Sequence, residues 1–294
     1  MAEVYFRKPR FRELQNESKT IVDMHYHTKY SPDSIARPSL ILKKARKLGI
    51  GLAVTDHNTI EGAREMWKHR KDVFIIPGIE VTDATCIHSL VYFYDFAELE
   101  DFYNRVIKPR LYKMPFFISK NLNYVLESAK DYNCVFGIPH PFAPGSATIN
   151  NINWTDKMFN KVDLVEVINA FNLRSRNIYA LELANKINKG MTGGSDGHSI
   201  GELGNAVTIA EGRTREEFLK SLLQGSSTII GNESNLLKKA MQTFGKETTA
   251  FRNNIRTHNQ LNRLRSFMHA NNESFRTKLG KSRQSFSRFF FRNM

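Results

Sequence analysis

The feature that most limits the fold of this chain is the alternation of short apolar runs with amphipathic stretches. The run TIVDMHYHT (residues 20–28) is typical of a strand, and SLILKKARKLGI (residues 39–50), which follows it, has apolar residues at helical spacing. Similar pairs continue along the chain as far as residue 230. Strands that alternate with helices predict a parallel sheet with crossover helices, and at this number of strands we expect a barrel. The predicted strands are 20–28, 51–58, 73–82, 88–95, 134–141, 161–169, 190–199 and 205–212, and the predicted helices are 39–50, 59–72, 119–133 and 175–188, with a last helix and strand in 214–230.

The bulk composition is that of a globular chain with room for a large core. The 294 residues are 41% hydrophobic and 24% charged, which allows one large α/β domain or two small ones. No apolar run approaches the ~18 residues of a membrane-spanning helix, so we expect no membrane span. Residues 1–19 lack the apolar segment of a secretory signal, and Cys86 and Cys134 fit no disulfide framework. We therefore expect a cytoplasmic location with reduced thiols.

The net charge of +14 is unevenly distributed along the chain. Residues 232–294 contain 13 Lys and Arg against 3 Asp and Glu, whereas residues 1–231 contain 30 against 26. This asymmetry predicts a catalytic domain over 1–231 and a basic, partly helical C-terminal tail over 232–294. For residues 250–294 two interpretations have equal weight: a solvated, disordered tail, or a nucleic-acid contact through Lys and Arg with stacking Phe side chains.

Nine candidate metal ligands lie at or near the carboxyl ends of predicted strands, where barrel enzymes place their chemistry. His25 and His27 are two residues apart in a strand, so both imidazoles leave the same face. Glu80 ends an apolar strand, where a carboxylate is costly unless it is paired or bound to a metal. The nine candidates are His25, His27, Asp33, His57, Glu80, His88, His140, Asp196 and His198.

Each candidate also has an ordinary structural interpretation. His57 could belong to a turn or a helix cap, and His88 could be a core histidine with its hydrogen bonds satisfied. His140 lies between two prolines in a rigid turn, and the segment of Asp196 and His198 could be a flexible Gly-rich loop. Taken together, the spacing and the strand-end positions favour a metal site. The other three histidines lie in polar helical stretches and are interpreted as surface residues: His69, His258 and His269.

Five motifs in order make the chain resemble a known family. The motifs are HYH with a downstream SPD, then TDH, GIE, PHP and GGSDGH, between about residue 20 and residue 210. They resemble those of the PHP family, named for polymerase and histidinol phosphatase. The segment 165–186 ahead of 192–206 also resembles the extension of the smaller stand-alone phosphoesterases of that family. The resemblance implies a distorted, seven-stranded (βα)7 TIM-like barrel with two or three metal ions at its C-terminal face.

The resemblance also implies a distribution of the ligands over three metal positions. The first metal would be held by His25, His27, Glu80 and Asp196; Glu80 would bridge to a second metal held also by His88 and His140; the third would be held by Asp33, His57 and His198. Many family members have histidine where this chain has Asp33. A carboxylate oxygen is a harder ligand than an imidazole nitrogen, so Asp33 favours manganese, iron or magnesium over zinc at the third position.

The expected chemistry is hydrolysis of a phosphate ester by a hydroxide that the metal ions generate near neutral pH. No GxSxG motif is present, and Cys134 has no basic residue nearby in sequence that would make it a nucleophile. Asp56 is a candidate for orienting a metal ligand or the water. Arg174 and Arg176 could clamp a substrate phosphate, or they could be the solvated start of a helix.

Three functions are compatible with these residues. The first is a metal-dependent phosphoesterase acting on a small phosphomonoester such as a nucleotide. Histidinol phosphatase itself is less favoured, because Asp33 and the extension resemble the stand-alone phosphoesterases more closely. The second is a nuclease acting on RNA or DNA ends, with the tail (residues 250–294) binding nucleic acid. The third is a non-catalytic nucleic-acid-binding protein, against which the complete ligand set argues. The substrate, the native metal and the oligomeric state are left open.

Overall fold

The computed structural model describes residues 2–15, 18–112, 116–143 and 154–233. The predicted tail from residue 234 onward, and with it the basic helical extension, lies outside these residues. The strands are β1 (Glu3–Phe6), β2 (Lys19–Tyr26), β3 (Gly51–Val54), β4 (Ile75–Thr82), β5 (His88–Phe93), β6 (Cys134–Ile138), β7 (Leu164–Asn169), β8 (Gly190–Gly194), β9 (Ala206–Glu211) and β10 (Ser227–Gly231). The helices are α1 (Phe11–Leu14), α2 (Pro38–Leu48), α3 (Glu61–Trp67), α4 (Phe96–Phe102), α5 (Leu122–Ala129), α6 (Asp156–Phe159), α7 (Arg174–Lys186) and α8 (Arg215–Leu223).

Local sequence signals explain where several helices begin and end. Pro38 occupies the first turn of α2, where its missing N–H costs nothing, and Gly49 ends the helix in the left-handed conformation (φ 67°). Thr214 and Glu217 form a reciprocal capping box at the start of α8. Asn121 caps α5 by accepting a hydrogen bond from the Tyr124 N–H.

The strands form one ten-stranded mixed sheet in the order β1-β10-β9-β2-β3-β4-β5-β6-β7-β8. The α/β class predicted from the alternation is therefore confirmed. The prediction of an all-parallel sheet is wrong, because β5 runs antiparallel to both β4 and β6, and β9 runs antiparallel to β2 and β10. The physical reason at β5 is the connection from Thr82 to His88, which is too short for a crossover helix and makes an antiparallel pair.

The sheet curls so that the end of β8 returns to the end of β2. The Asp196 N–H donates to the His25 carbonyl (2.9 Å), and the His27 N–H donates to the Gly197 carbonyl (3.0 Å). Tyr26 and Gly197 thereby form a parallel bridge. This closure brings the segments after β2 and β8 together, and both segments carry candidate metal ligands.

Apolar side chains fill the space between the sheet and the helices. The largest core cluster joins residues of α2, α3, α4, α5 and α7 to residues of the strands. A second cluster packs Val22 and Met24 of β2 against Phe218 and Leu222 of α8. No helix in the described part of the chain is both long enough and apolar enough to cross a membrane. The cytoplasmic location stays a prediction.

Because β8 approaches β2 closely, position 194 has no room for a side chain, which can be tested at Gly194. A Cβ atom at this position would lie 2.4 Å from His25 Cβ and 2.6 Å from the His25 backbone nitrogen. We expect Gly194→Ala to lower the free energy of unfolding by about 1–3 kcal/mol in urea denaturation, because the strands must separate. Gly201→Ala is the control, since its Cβ would lie 3.9 Å from the nearest atom, Ser199 Oγ. Equal stabilities of the two variants would contradict this packing.

Candidate metal centre

All nine candidate ligands come together at one end of the curled sheet. Each is at least half-buried, and His25, His27 and Glu80 are almost completely inaccessible. The donor atoms form overlapping groups with separations within 4.8 Å: His25, His27 and Glu80; His25, His140 and Asp196; His57, Glu80 and His88; and His27, Asp33, His57 and His198. The structure thus places together every residue that the sequence proposed as a metal ligand. Their role as metal ligands stays a prediction.

Glu80 lies at the centre of the group, and its two carboxylate oxygens face different partners. Oε2 lies 3.1 Å from His25 Nε2 and 3.3 Å from His27 Nε2. Oε1 lies 2.9 Å from His88 Nδ1 and 3.1 Å from His140 Nε2. His57 Nδ1 also lies 3.3 Å from Oε2. The two oxygens therefore face different sets of imidazoles, three at Oε2 and two at Oε1, which is the geometry that a bridging ligand requires.

A second group forms at the edge of the cluster around Asp33. Asp33 Oδ2 lies 2.8 Å from His198 Nε2 and 3.6 Å from His57 Nε2. The chain reaches this position because the Ser31 Oγ–H donates to Asp33 Oδ1 (2.7 Å) and the Ile35 N–H donates to the His198 carbonyl (3.1 Å). The predicted grouping of Asp33, His57 and His198 is therefore a real spatial group.

The donors in this cluster fit divalent metal ions. His25 Nε2 and His27 Nε2 lie only 3.1 Å apart, and both face the Glu80 carboxylate. The Nδ1 atoms of His27 and His140 are buried without a hydrogen-bond partner among the described residues. Converging imidazole nitrogens and carboxylate oxygens are the donors that first-row divalent metals prefer, so the residues fit a metal cluster.

The electrostatics of the cluster favour ionised carboxylates. Burial alone would raise the pKa of Glu80, but the imidazoles of His57, His25 and His88 hold it well below its usual range. Burial would likewise lower the pKa of His27, but Asp196 and Glu80 raise it to about 9. Protons and metal ions compete for the same imidazole nitrogens, so a metal ion would replace the protons that the carboxylates otherwise attract.

Five buried carboxylates surround the cluster and accept backbone N–H groups at or beside a candidate ligand. Glu166 Oε2 accepts from the His140 N–H (2.8 Å), and Glu202 Oε2 accepts from the His198 N–H (2.7 Å). The other three acceptors bind N–H groups next to ligands: Asp23 from Ser195 (2.8 Å), Asp56 from Thr28 (2.5 Å) and Asp83 from Ile87 (2.9 Å). These surrounding carboxylates fix the backbone that carries the ligands.

Asp56 is the only member of this surrounding set that the sequence singled out. Its carboxylate accepts from both the backbone N–H and the hydroxyl of Thr28, directly after His27. Burial raises the pKa of Asp56 to about 7. A Cβ on Gly62 would lie 1.9 Å from Asp56 Oδ2, so the first turn of α3 packs directly onto this carboxylate. Asp56 is thus placed to orient the segment that follows His27.

The other four surrounding carboxylates, Asp23, Asp83, Glu166 and Glu202, were not predicted from the sequence. Asp23 and Glu166 carry a recognisable signal, because each is a carboxylate inside an apolar strand, as Glu80 is. Glu166 also lies 3.1 Å from His25 Nδ1 through its Oε1, so it contacts two candidate ligands. Asp83 and Glu202 lie in loops, where no sequence pattern distinguishes them from solvated acids.

The remaining predicted residues have contacts outside the cluster. Arg174 Nε lies 2.9 Å from Glu233 Oε1, and its guanidinium lies 5.6 Å from the Phe6 ring centroid. Arg176 lies in the first turn of α7 and is half-buried. Their role as a phosphate clamp stays a prediction. Burial raises the pKa of the Cys134 thiol to about 12, which agrees with its exclusion as a nucleophile.

Comparisons with known proteins agree with the motifs. A family model described as PHP-associated matches residues 174–227. An uncharacterised protein of Methanocaldococcus jannaschii is 32% identical over 161 residues, which cover 51% of this chain and 81% of the relative. The chain belongs to the PHP family of metal-dependent phosphoesterases. A second uncharacterised protein of the same organism is 29% identical over 238 residues, covering 76% of this chain and 87% of that protein.

Solved structures share the fold of this PHP chain. The lesion-specific endonuclease Q of Pyrococcus furiosus has a TM-score of 0.58 at 19% identity, and the match covers 72% of this chain. A second structure of endonuclease Q contains a 27-mer duplex substrate with an abasic lesion at the active site. Its TM-score is 0.59 at 18% identity, and the match covers 73% of this chain. The PHP chain spans 57% and 60% of the length of these two structures.

The contacts of Glu166 predict a measurable loss of metal binding. Oε1 of Glu166 contacts His25 Nδ1, and Oε2 accepts the His140 N–H. In a glutamine variant the amide NH2 would replace one of these acceptor oxygens, and that contact would be lost. We expect Glu166→Gln to weaken metal affinity by about 10–100-fold. Titration of the metal-depleted protein with manganese, followed by elemental mass spectrometry, measures this change. The exposed Glu182→Gln is the control, and equal affinities of the two variants would show that Glu166 does not position the ligands.

Proposed function

We propose that this chain hydrolyses a phosphate ester at a site of two or three divalent metal ions, and that its substrate is a small phosphomonoester such as a nucleotide. The division of the Glu80 carboxylate carries the proposal, because Oε2 faces His25, His27 and His57 while Oε1 faces His88 and His140, and one side chain can thus join two metal positions. The curled arrangement of β2 to β8 supports the seven-stranded PHP-type barrel as the scaffold.

The spatial groups of the candidate ligands support a division into metal positions, with His57 also close to Glu80 and His88, and His140 also close to His25 and Asp196. We assign His25, His27, Asp196 and Glu80 to the first, Glu80, His88 and His140 to the second, and Asp33, His57 and His198 to the third. Asp33 favours manganese, iron or magnesium at the third position, and the imidazole-rich positions also suit zinc. When bound, such ions neutralise phosphoryl charge and make water a nucleophile at neutral pH.

Side chains around the cluster would position the candidate ligands and the substrate for this reaction. Asp56 holds Thr28 and thereby the direction of the segment between His27 and Asp33. Glu166 holds the ring of His25 through its Oε1 and the backbone of His140 through its Oε2, which accepts the His140 N–H. Of the two arginines, we favour Arg176 as a phosphate clamp, because Arg174 already pairs with Glu233.

A nuclease acting on RNA or DNA ends is the second candidate function. It is supported by the charge of the sequence from 232 to 294, where 13 Lys and Arg stand against 3 Asp and Glu. It is also supported by the similar fold of endonuclease Q, one structure of which contains a DNA duplex. In this function the tail from residue 250 would supply affinity for nucleic acid and the metal site would cut the ester.

Hydrolysis of generic esters by matched variants tests the proposed function. We expect manganese-dependent hydrolysis of an aryl phosphomonoester by the wild-type chain and at least a 1,000-fold lower kcat for Glu80→Gln, because a neutral amide cannot bridge two cations (roughly 4 kcal/mol). Glu182→Gln should retain wild-type turnover, and melting curves should confirm that both variants fold.

The outcomes separate the two candidates. Turnover of the monoester alone supports the small phosphomonoester, whereas turnover of an aryl phosphodiester or an oligonucleotide alone supports the nuclease. Wild-type turnover by Glu80→Gln would refute the bridging role of Glu80. The absence of turnover on all three substrates, with metal bound, would refute the phosphoesterase.

A further inference from the structure

A basic segment lies beside the metal centre and is unlike the rest of the catalytic domain. From residue 102 to residue 126 the sequence contains five Lys and Arg and no Asp or Glu, whereas the rest of residues 1–231 contains 25 against 26. In the structure, α4 continues through a π-helical turn (Tyr103–Ile107) and a 3-10 turn (Lys108–Arg110) into this segment. The excess positive charge of residues 1–231 is thus concentrated in one segment of the sequence.

The middle of the segment folds back on itself as a two-sided ribbon, which we call the basic ribbon (residues 108–112 and 116–120). Leu111 and Ile118 form an antiparallel bridge. The Tyr112 N–H donates to the Phe117 carbonyl (3.1 Å), and the Ser119 N–H donates to the Arg110 carbonyl (2.7 Å). These bonds give its side chains a defined direction.

The basic ribbon is attached to the wall of the metal centre. The Ile118 N–H donates to the Thr82 carbonyl (3.1 Å), and the Thr82 hydroxyl oxygen lies 3.1 Å from His57 Nδ1. The buried Asn58 amide donates to the Phe116 carbonyl (2.9 Å), directly after His57 in sequence. The Ala84 N–H donates to the Lys120 carbonyl (2.9 Å). Thr82 therefore contacts both the basic ribbon and the candidate metal ligand His57.

The cations of the basic ribbon are held together without a carboxylate. The Arg110 guanidinium lies 5.1 Å and the Lys120 ammonium 5.6 Å from the centroid of the same ring, that of Tyr124. Among the described residues, no carboxylate lies within salt-bridge distance of Lys108, Arg110 or Lys120, although Arg105, one turn earlier, pairs with Asp101 at 2.8 Å. Like charges held within roughly one Debye length repel each other, and a polyanion relieves that repulsion.

An aromatic side chain completes the surface. Tyr112 is 43% exposed and lies on the basic ribbon two residues after Arg110. Exposed aromatic rings among Lys and Arg are the combination that binds single-stranded nucleic acid, with phosphates on the cations and a base on the ring.

We propose that the basic ribbon, with Tyr124, binds the phosphates of a single-stranded nucleic acid and presents an ester of that strand to the metal centre. This inference rests on the proposed phosphoesterase activity and, of its two substrate classes, favours nucleic acid. Lys108, Arg110 and Lys120 would contact phosphates, and Tyr112 would stack on a base.

Binding measurements on the full chain test the proposal independently of catalysis. The probe is a fluorescein-labelled 20-nucleotide single-stranded DNA, and its anisotropy gives Kd at several salt concentrations, with a gel to show that the probe is intact. For the triple variant Lys108→Gln, Arg110→Gln and Lys120→Gln we expect binding weaker by roughly 10–100-fold at 0.1 M salt, and a salt slope smaller by about 2.

The control triple variant removes the same charge from the opposite end of the sheet. Lys68, Arg70 and Lys71 are exposed and precede β4 at its amino end, so their replacement by Gln should leave Kd and slope within about twofold of wild type. Any contribution of the tail is common to all three proteins and cancels. Equal losses in the two triple variants, or no binding by the wild type, would overturn the proposal.

Hydrolysis of the aryl phosphomonoester separates this proposal from the proposed function. We expect the Lys108, Arg110 and Lys120 triple variant to keep any turnover that the wild type has on that substrate. Loss of binding with retained turnover assigns the basic ribbon to the nucleic acid. Failure of the wild type to hydrolyse any ester would refute the proposed phosphoesterase activity. The comparison of Kd values would still decide whether the basic ribbon binds single-stranded DNA.

Discussion

Buried negative charge at one end of the sheet determines how the surrounding histidines, acids and loops are arranged. Glu80 and Asp196 are buried and the side chain of Asp33 is only 18% exposed, and desolvating carboxylates is costly unless cations or hydrogen-bond donors compensate them. Imidazoles supply part of this compensation, as the contacts of Glu80 show. Divalent metal ions supply the remainder most effectively, because they neutralise several carboxylates at once.

The same constraint accounts for the surrounding carboxylates and for the loops that they hold. Asp23, Asp56, Asp83, Glu166 and Glu202 each accept a backbone N–H at or beside a candidate ligand. A loop that would otherwise move is therefore fixed by a buried charge, and the charge is in turn satisfied by the loop. The candidate ligands are held in position by carboxylates from the strands, such as Asp23 and Glu166, and by carboxylates from the loops, such as Asp56 and Glu202.

Much of this arrangement could be predicted from the sequence, for reasons that particular residues make clear. His25 and His27 are two residues apart in a strand, and a strand fixes their common direction. Glu80 was recognisable because an acid at the end of an apolar strand needs a partner. Glu166 carries the same signal in LVEVIN but has no neighbouring histidine, and Glu202 contacts His198 only because the loop folds back over four residues. The antiparallel β5 follows from the short connection between Thr82 and His88, which the alternation of strands and helices conceals.

Anomalous diffraction from crystals soaked in manganese is the most direct test of the central claim, that one carboxylate joins two metal positions in this cluster. We expect at least two anomalous peaks, each about 2.0–2.3 Å from a different oxygen of Glu80, with His25 and His27 bound to one ion and His88 and His140 bound to the other. A single peak that does not touch Glu80, or the absence of any peak among the nine side chains, would contradict it.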